Sequence, residues 1–529
     1  MTRRSANASF LPGHFVFPGG RVDEEDAAAH DLAAVPQGRD SPSLAFALAA
    51  LRETYEELGI LLAVHPGGHP ATPEECAQFR RDEPLYPQLR AAGLRLATNR
   101  LRQLARWITD RSVSPRRFDT AFLMARMPEG QHPVADGAEQ FEPVWLKPAE
   151  APSRHAAGRM PMIFPTLRTL DWLSQFAGAA EAIDACPADQ PLWVSCPRGG
   201  YREGAVRRFM EHEPGFGELE LVCPDGQLEH YLDWQHERPV PLLRHLQRLT
   251  APNAGVMTGP GTNTYLIGTP SSGYIAADPG PADPAHVERL MAATAGRIHA
   301  IICTHSHLDH SPAARLLARA CGASGAEPPI LGLPSAPTAR PDAVFHPSRV
   351  LADGERIVLD GEHPVTLRAI HTPGHAANHL CLLMEEDGLL LTGDHILGGT
   401  TTIVDPPDGD MTAYLDSLDR LAALCAASRV DFLLPGHGHA INEPLAAIAA
   451  LKAHRLQREV KVLEALRAEP DGDPGTWIAR AYDDTPSGLW PVAERSFLAH
   501  MIRLRRLGLI DIDPPADPRG PAPAAEVFP

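Results

Sequence analysis

The chain has 529 residues, 44% apolar and 22% charged, which fits a soluble globular protein of several domains and excludes a fibrous or wholly disordered one. A formal net charge of −18 disfavours a broad nucleic-acid surface, and no run approaches the roughly 20 apolar residues of a membrane span. The eight cysteines form no CxxC pair and no apolar stretch follows Met1-Thr2-Arg3-Arg4-Ser5, so neither signal peptide nor anchor is expected, and a cytoplasmic setting is.

The first helical pattern is Leu44, Leu48, Leu51, Tyr55 and Leu58, closed by Gly59. Glu53, Glu56 and Glu57 fall on one face of that helix. Three carboxylates so spaced repel one another unless they are solvated or bridged by a hard cation, and spacing alone favours the solvated face. Further on, Arg117–Leu123 reads as a strand and Pro165–Leu170 as a helix.

The longer text Arg52-Glu53-Thr54-Tyr55-Glu56-Glu57-Leu58-Gly59-Ile60, after Phe17-Pro18-Gly19-Gly20, resembles the Nudix box of diphosphate hydrolases. Thr2, Arg4, Ser5 and Gly13 with the Phe17–Gly20 run also resemble the signature of coenzyme A diphosphatases within that family. The resemblance covers residues 1–185 and implies a Nudix-like α/β/α domain. It further implies that Glu53, Glu56 and Glu57 hold Mg²⁺ or Mn²⁺, that Glu56 and Glu57 serve catalysis, and that the substrate is nucleotide-like. Three departures stand out. Asp26 stands where the box has Glu, with an insertion from Ala27 to about Pro42 behind it; Ser9 stands where the coenzyme A signature has Arg; and the strand that should precede Thr2 has no residues here, so the domain is expected to lack it or to start further upstream. A catalytically silent nucleotide-binding module is the alternative that these departures support.

Residues 186–248 are expected to form a β-rich connector, with strand-like Leu192-Trp193-Val194 and Leu219-Glu220-Leu221-Val222 between Gly and Pro turns. Beyond it the apolar Ile301-Ile302-Cys303 runs into Thr304-His305-Ser306-His307-Leu308-Asp309-His310 and then helix-like Pro312–Leu317. Four potential ligands so close together exceed what one open site needs, and imidazoles with a carboxylate suit Zn²⁺ or a similar borderline cation. His305 and His307, two apart on chain leaving a strand, can face one ion, while Asp309 and His310 turn with the helix start toward a second. Further candidate ligands each follow a strand-like run: His375, Asp394 and His437. His371, His379 and His439 crowd the same strings, but a histidine near a metal is as often a hydrogen-bonding neighbour as a ligand, and all three are left out of the ligand set. The loop Thr400–Asp410 is expected to border the metals.

This ordered set resembles the metallo-β-lactamase superfamily over residues 249–443. The resemblance implies an αββα sandwich holding two Zn²⁺ (or Mn²⁺ or Fe²⁺), with His305, His307 and His375 on one metal, Asp309, His310 and His437 on the other, and Asp394 between them. Asp309 and Asp394 are the implied catalytic carboxylates, and Asp278 matches a strand-end Asp that orients a ligand histidine. Two cations lower the pKa of shared water, so hydroxide exists near neutral pH.

Residues 444–513 read as three helices and a short wing at Leu509-Ile510. His454, Arg455, Arg458, Glu459, Tyr482, Thr485, Pro486 and His500 are similar in pattern to the winged-helix tail of the β-lactamase-like endoribonuclease group. Arg503, Arg505 and Arg506 form the best local basic strip, yet charges nearly balance in this region, so a packing or homodimer lid is expected rather than a nucleic-acid reader. The Pro- and Ala-rich residues 514–529 are expected to be disordered. The expected activity is hydrolysis of a small acyl thioester or ester, with a second diphosphate-hydrolase activity in the Nudix-like half. A single-strand endoribonuclease is the alternative, with RNA disfavoured as a partner.

Overall fold

The computed structural model describes residues 1–34, 41–109, 117–187, 191–224, 226–227, 230–323 and 325–515, and they divide into two compact units, Met1–Cys196 and Pro197–Pro529. The tail expected to be disordered lies almost wholly outside the described residues, as does the stretch 35–40 of the insertion.

In the first unit the helix Ser41–Leu58 buries Leu48, Leu51, Tyr55 and Leu58, the stripe its spacing predicts, against Leu61, Tyr86, Leu89 and Leu96. Thr2–Arg4 is a strand between Phe15–Val16 and Gln140–Phe141. Arg102–Ile108 pairs antiparallel with Asp119–Met124 and parallel with Trp193–Ser195. The expected strand and helix therefore form, the latter as Phe164–Leu173.

The second unit is a helix–sheet–sheet–helix sandwich. A seven-stranded sheet runs from Val240–Leu243 to Arg349–Val350, and a six-stranded sheet from Arg356–Leu359 to Ile441–Asn442. Alternation within strands assigns the layers. Tyr265, Ile267, Ile302, Leu367, Leu382 and Leu391 meet in the core between the sheets. Their neighbours Leu266, Ile301 and Cys303 instead face the helices Pro284–Thr294 and Ala313–Gly322, while Cys381, Leu383 and Leu390 face the helix Met411–Ser428.

Two expectations fail. Leu219–Val222 is not a strand but the end of the helix Phe216–Val222, because Phe216 and Leu219, three apart, pack together on Phe209 and Leu232. The helices Pro444–Ala468, Pro474–Ala481 and Trp490–Arg506 form as expected, but Leu509 and Ile510 lie in irregular chain beyond Gly508, where no strand forms among the described residues.

Candidate metal centre

The strand Ile298–Ile302 ends beneath the turn that carries His305, His307, Asp309 and His310. Asp278, held at φ +50 as its own strand ends, fixes that turn: it accepts from Thr304 N at 2.7 Å, from Thr304 Oγ1 at 2.8 Å and from His310 Nδ1 at 3.0 Å. The last bond occupies one ring nitrogen and leaves His310 Nε2 for other work. The same device recurs at two other candidate ligands, where His375 Nδ1 donates to Ile403 O at 2.7 Å and His437 Nδ1 to Gly261 O at 3.0 Å. Glycine is demanded where these loops meet. A Cβ on Gly436 would lie 2.5 Å from Asp394 Oδ1, and one on Gly374 2.3 Å from Tyr414 Cα.

The structure brings all seven candidates together in two groups, His305–His307–His375 and Asp309–His310–Asp394–His437, within each of which the ligand atoms lie within 4.8 Å of one another. In the first, His305 Nε2 and His375 Nε2 each stand 3.0 Å from His307 Nδ1. Asp394 lies between the groups, its Oδ2 3.7 Å from His375 Nε2 and 3.3 Å from His437 Nε2, its Oδ1 3.3 Å from His310 Nε2. Asp309 Oδ2 is 3.2 Å from His437 Nε2.

Burial and the neighbouring imidazoles push His305 well down and His307 down to about 3, so both are neutral, as ligands must be. Burial also acts to lower His437, but the Asp394 and Asp309 carboxylates carry it up to about 10, and they carry His310 well up too. Positive charge is thus demanded at this second group. A divalent cation meets that demand. Three buried atoms, His310 Nε2, His437 Nε2 and Asp394 Oδ1, have no hydrogen-bond partner among the described residues, and they fit the inner coordination of such an ion.

His371, His379 and His439, left out of the ligand set, join neither group. His379 Nε2 accepts from Asp394 N at 3.1 Å, His371 Nε2 donates to Ala377 O at 3.0 Å and His439 Nδ1 donates to Glu218 Oε2 at 2.9 Å. The loop expected to border the centre does so: Thr402 Oγ1 donates to Asp394 O, and Arg455 Nη2 from the helix Pro444–Ala468 donates to Thr402 O. Sequence reasoning missed a role for Thr402, Arg455 and Asn263; Asn263 Nδ2 donates to Pro435 O at 3.0 Å and Gly438 O at 2.9 Å and so holds the loop of His437. Position in the loop after Asp394 was the available signal for Thr402.

Glu53, Glu56 and Glu57 are placed differently. Arg52 Nη1 donates to Glu53 at 3.0 Å and Glu56 at 2.8 Å, while Glu57 accepts from Gly19 N at 2.9 Å and Gln140 Nε2 at 2.8 Å. They share one helical face but form no three-carboxylate ligand group among the described residues. Asp26 is buried and is bonded to Arg52 Nε at 2.8 Å, Arg52 Nη2 at 2.9 Å and Tyr86 Oη. The basic strip is likewise spoken for: Arg503 pairs with Glu459, Arg506 with Asp410, and Arg505 with Asp513 at 2.9 Å.

A model of the metallo-beta-lactamase superfamily matches residues 257–437. The chain is 31% identical over 284 residues to "Beta-lactamase-like protein 2 homolog" of Drosophila melanogaster, covering 51% of this chain and 91% of that protein. It is 31% identical over 263 residues to an "Atrochrysone carboxyl ACP thioesterase" of Aspergillus chevalieri, covering 47% of this chain and 76% of that one. Among solved structures, a NUDIX hydrolase from Alicyclobacillus acidocaldarius is similar at 30% identity, with 36% of this chain and 88% of that chain covered and a TM-score of 0.31. No described helix is long and apolar enough to cross a membrane.

Proposed function

Because this chain belongs to the metallo-β-lactamase superfamily and is a metal-dependent hydrolase, we propose that its centre hydrolyses a small thioester or ester. His305, His307 and His375 would hold one cation and Asp309, His310 and His437 a second, with Asp394 between the two groups. The observation that carries the reading is the convergence of these ligand atoms around three buried polar atoms without partners. Divalent cations bound there supply Lewis acidity toward an acyl carbonyl and acidify water near neutral pH.

The chain's own residues then set approach and specificity. Of the seven ligands only His307 and Asp309 are partly exposed, so substrate enters over them. Leu308 between them is 50% exposed and gives that entrance an apolar lip, suited to an acyl group rather than to phosphate. The thioesterase name of a relative points the same way. Arg503, Arg505 and Arg506, the strip on which RNA would rest, are each already paired with a carboxylate. Turnover of a thioester panel against a labelled single-stranded RNA, both by the metal-loaded full chain, tests the proposal. RNA cleavage with inert thioesters refutes it.

A second activity in the first unit, Mg²⁺- or Mn²⁺-dependent diphosphate hydrolysis, finds support in the packing of the Phe17–Gly20 turn onto the acidic face. Gly19 N donates to Glu57, and a Cβ on Gly20 would lie 2.2 Å from Glu53 Oε1.

A further inference from the structure

Glu218 is a carboxylate with no exposed surface, on the helix Phe216–Val222, outside the residues 257–437 that match the superfamily model. An isolated buried carboxylate is costly, and this one is compensated from three directions. Arg248, on the strand Leu246–Thr250, reaches both oxygens, with Nη2 3.1 Å from Oε1; His230 Nε2 donates to Oε1 at 2.7 Å; His439 Nδ1 donates to Oε2 at 2.9 Å.

His439 is the link that matters. It stands two residues after His437, on the loop that leaves the strand Phe432–Pro435, and its ring stacks on Trp234 at 4.3 Å and 22°. Trp234 in turn lies under the Arg248 guanidinium at 4.8 Å. The helix is fitted to the same stretch of chain elsewhere: a Cβ on Gly217 would lie 2.5 Å from Ala440 O, and Asn442 Nδ2 donates to Glu220 Oε2 at 2.9 Å. Asn263 and Tyr265 secure the near end of the loop, Tyr265 Oη donating to Pro435 O at 2.8 Å. The far end has Glu218.

We infer that Glu218 is a positioning residue for the second metal group: through His439 it fixes the Pro435–Ala440 loop and so the placement of His437. The inference rests on the two-cation reading of the centre. Groups that orient a ligand from behind typically set metal affinity by about 10–100-fold.

Two substitutions at His439 in the full chain separate the clamp from simple packing. His439→Phe keeps a ring on Trp234 and removes the donor to Glu218, which retains Arg248 and His230. His439→Asn puts an amide nitrogen where Nδ1 was and gives up the stacking. Chelator competition with Zn²⁺ is expected to show one of two ions held about 10–100-fold more weakly in the Phe variant, the other unchanged, and near-normal retention of both in the Asn variant. In metal-free protein, amide exchange over Gly436–Asn442 is expected to quicken in the Phe variant alone. A Phe variant that keeps both ions as tightly as the parent, with unchanged exchange, overturns the inference; so does an Asn variant as impaired as the Phe one. If the unsubstituted chain holds fewer than two ions, the two-cation reading fails instead, and amide exchange still decides whether the clamp exists.

Discussion

At the level of single residues, the candidate ligand set was legible because each member follows an apolar strand: a chain leaving a sheet can place side chains at the sheet's end, and His375, Asp394 and His437 repeat that context. Asp278 was legible for the same reason, and its three hydrogen bonds show what it does. Replacing it by Ala leaves His310 Nδ1 and Thr304 N without their acceptor. The expected result is a folded protein whose metal affinity falls about 10–100-fold, measured by competition with a chelator. Unchanged affinity would mean that the turn holds His310 without help. Glu218 was not legible. A lone glutamate in a segment with no motif carries no local signal, and its partners lie 12, 30 and 221 positions away.

At the level of elements, the misreading of Leu219–Val222 is instructive. Leu219-Glu220-Leu221 alternates as a strand would, and only the wider window, with Phe216 three before Leu219, reveals the helical period. The C-terminal helices were legible from their periodicity, whereas the pairing of their arginines was not, because Asp410 lies 96 positions from Arg506. These pairs make a prediction. The triple change Arg503→Ala, Arg505→Ala and Arg506→Ala removes the arginine partners of Glu459 and Asp410. Glu459, which is buried, keeps His500 at 3.1 Å, and Asp410 keeps Thr412 N and Ala413 N, so stability should fall by about 1–3 kcal/mol, chiefly through Arg503. Thermal unfolding reads that loss, while thioester turnover per folded molecule stays near the parent's. A selective loss of RNA cleavage with intact thermal stability would revive the nuclease reading.

Taken whole, the chain divides into two compact units, and its net charge of −18 falls mostly on the second. The sandwich was foreseeable from strand alternation together with the resemblance. The first unit was less so, because its box is split by an insertion and Arg52 engages Glu53 and Glu56 in the folded chain. Independence of the two sites is the expectation: Glu56→Gln should remove any Mg²⁺- or Mn²⁺-dependent cleavage of a nucleoside diphosphate derivative and leave thioester hydrolysis untouched. If neither ion elicits diphosphate cleavage from the parent chain, the first unit is the silent binding module instead.

Metal analysis of the parent chain beside Asp394→Ala, with thioester turnover followed in the same samples, decides whether the hydrolytic centre holds two cations with Asp394 between them. About two ions per parent chain are expected and, in the variant, which lacks the carboxylate standing between the two groups, turnover at the uncatalysed level. One tightly bound ion in the parent, together with a fully active Asp394→Ala protein, would contradict the two-cation reading.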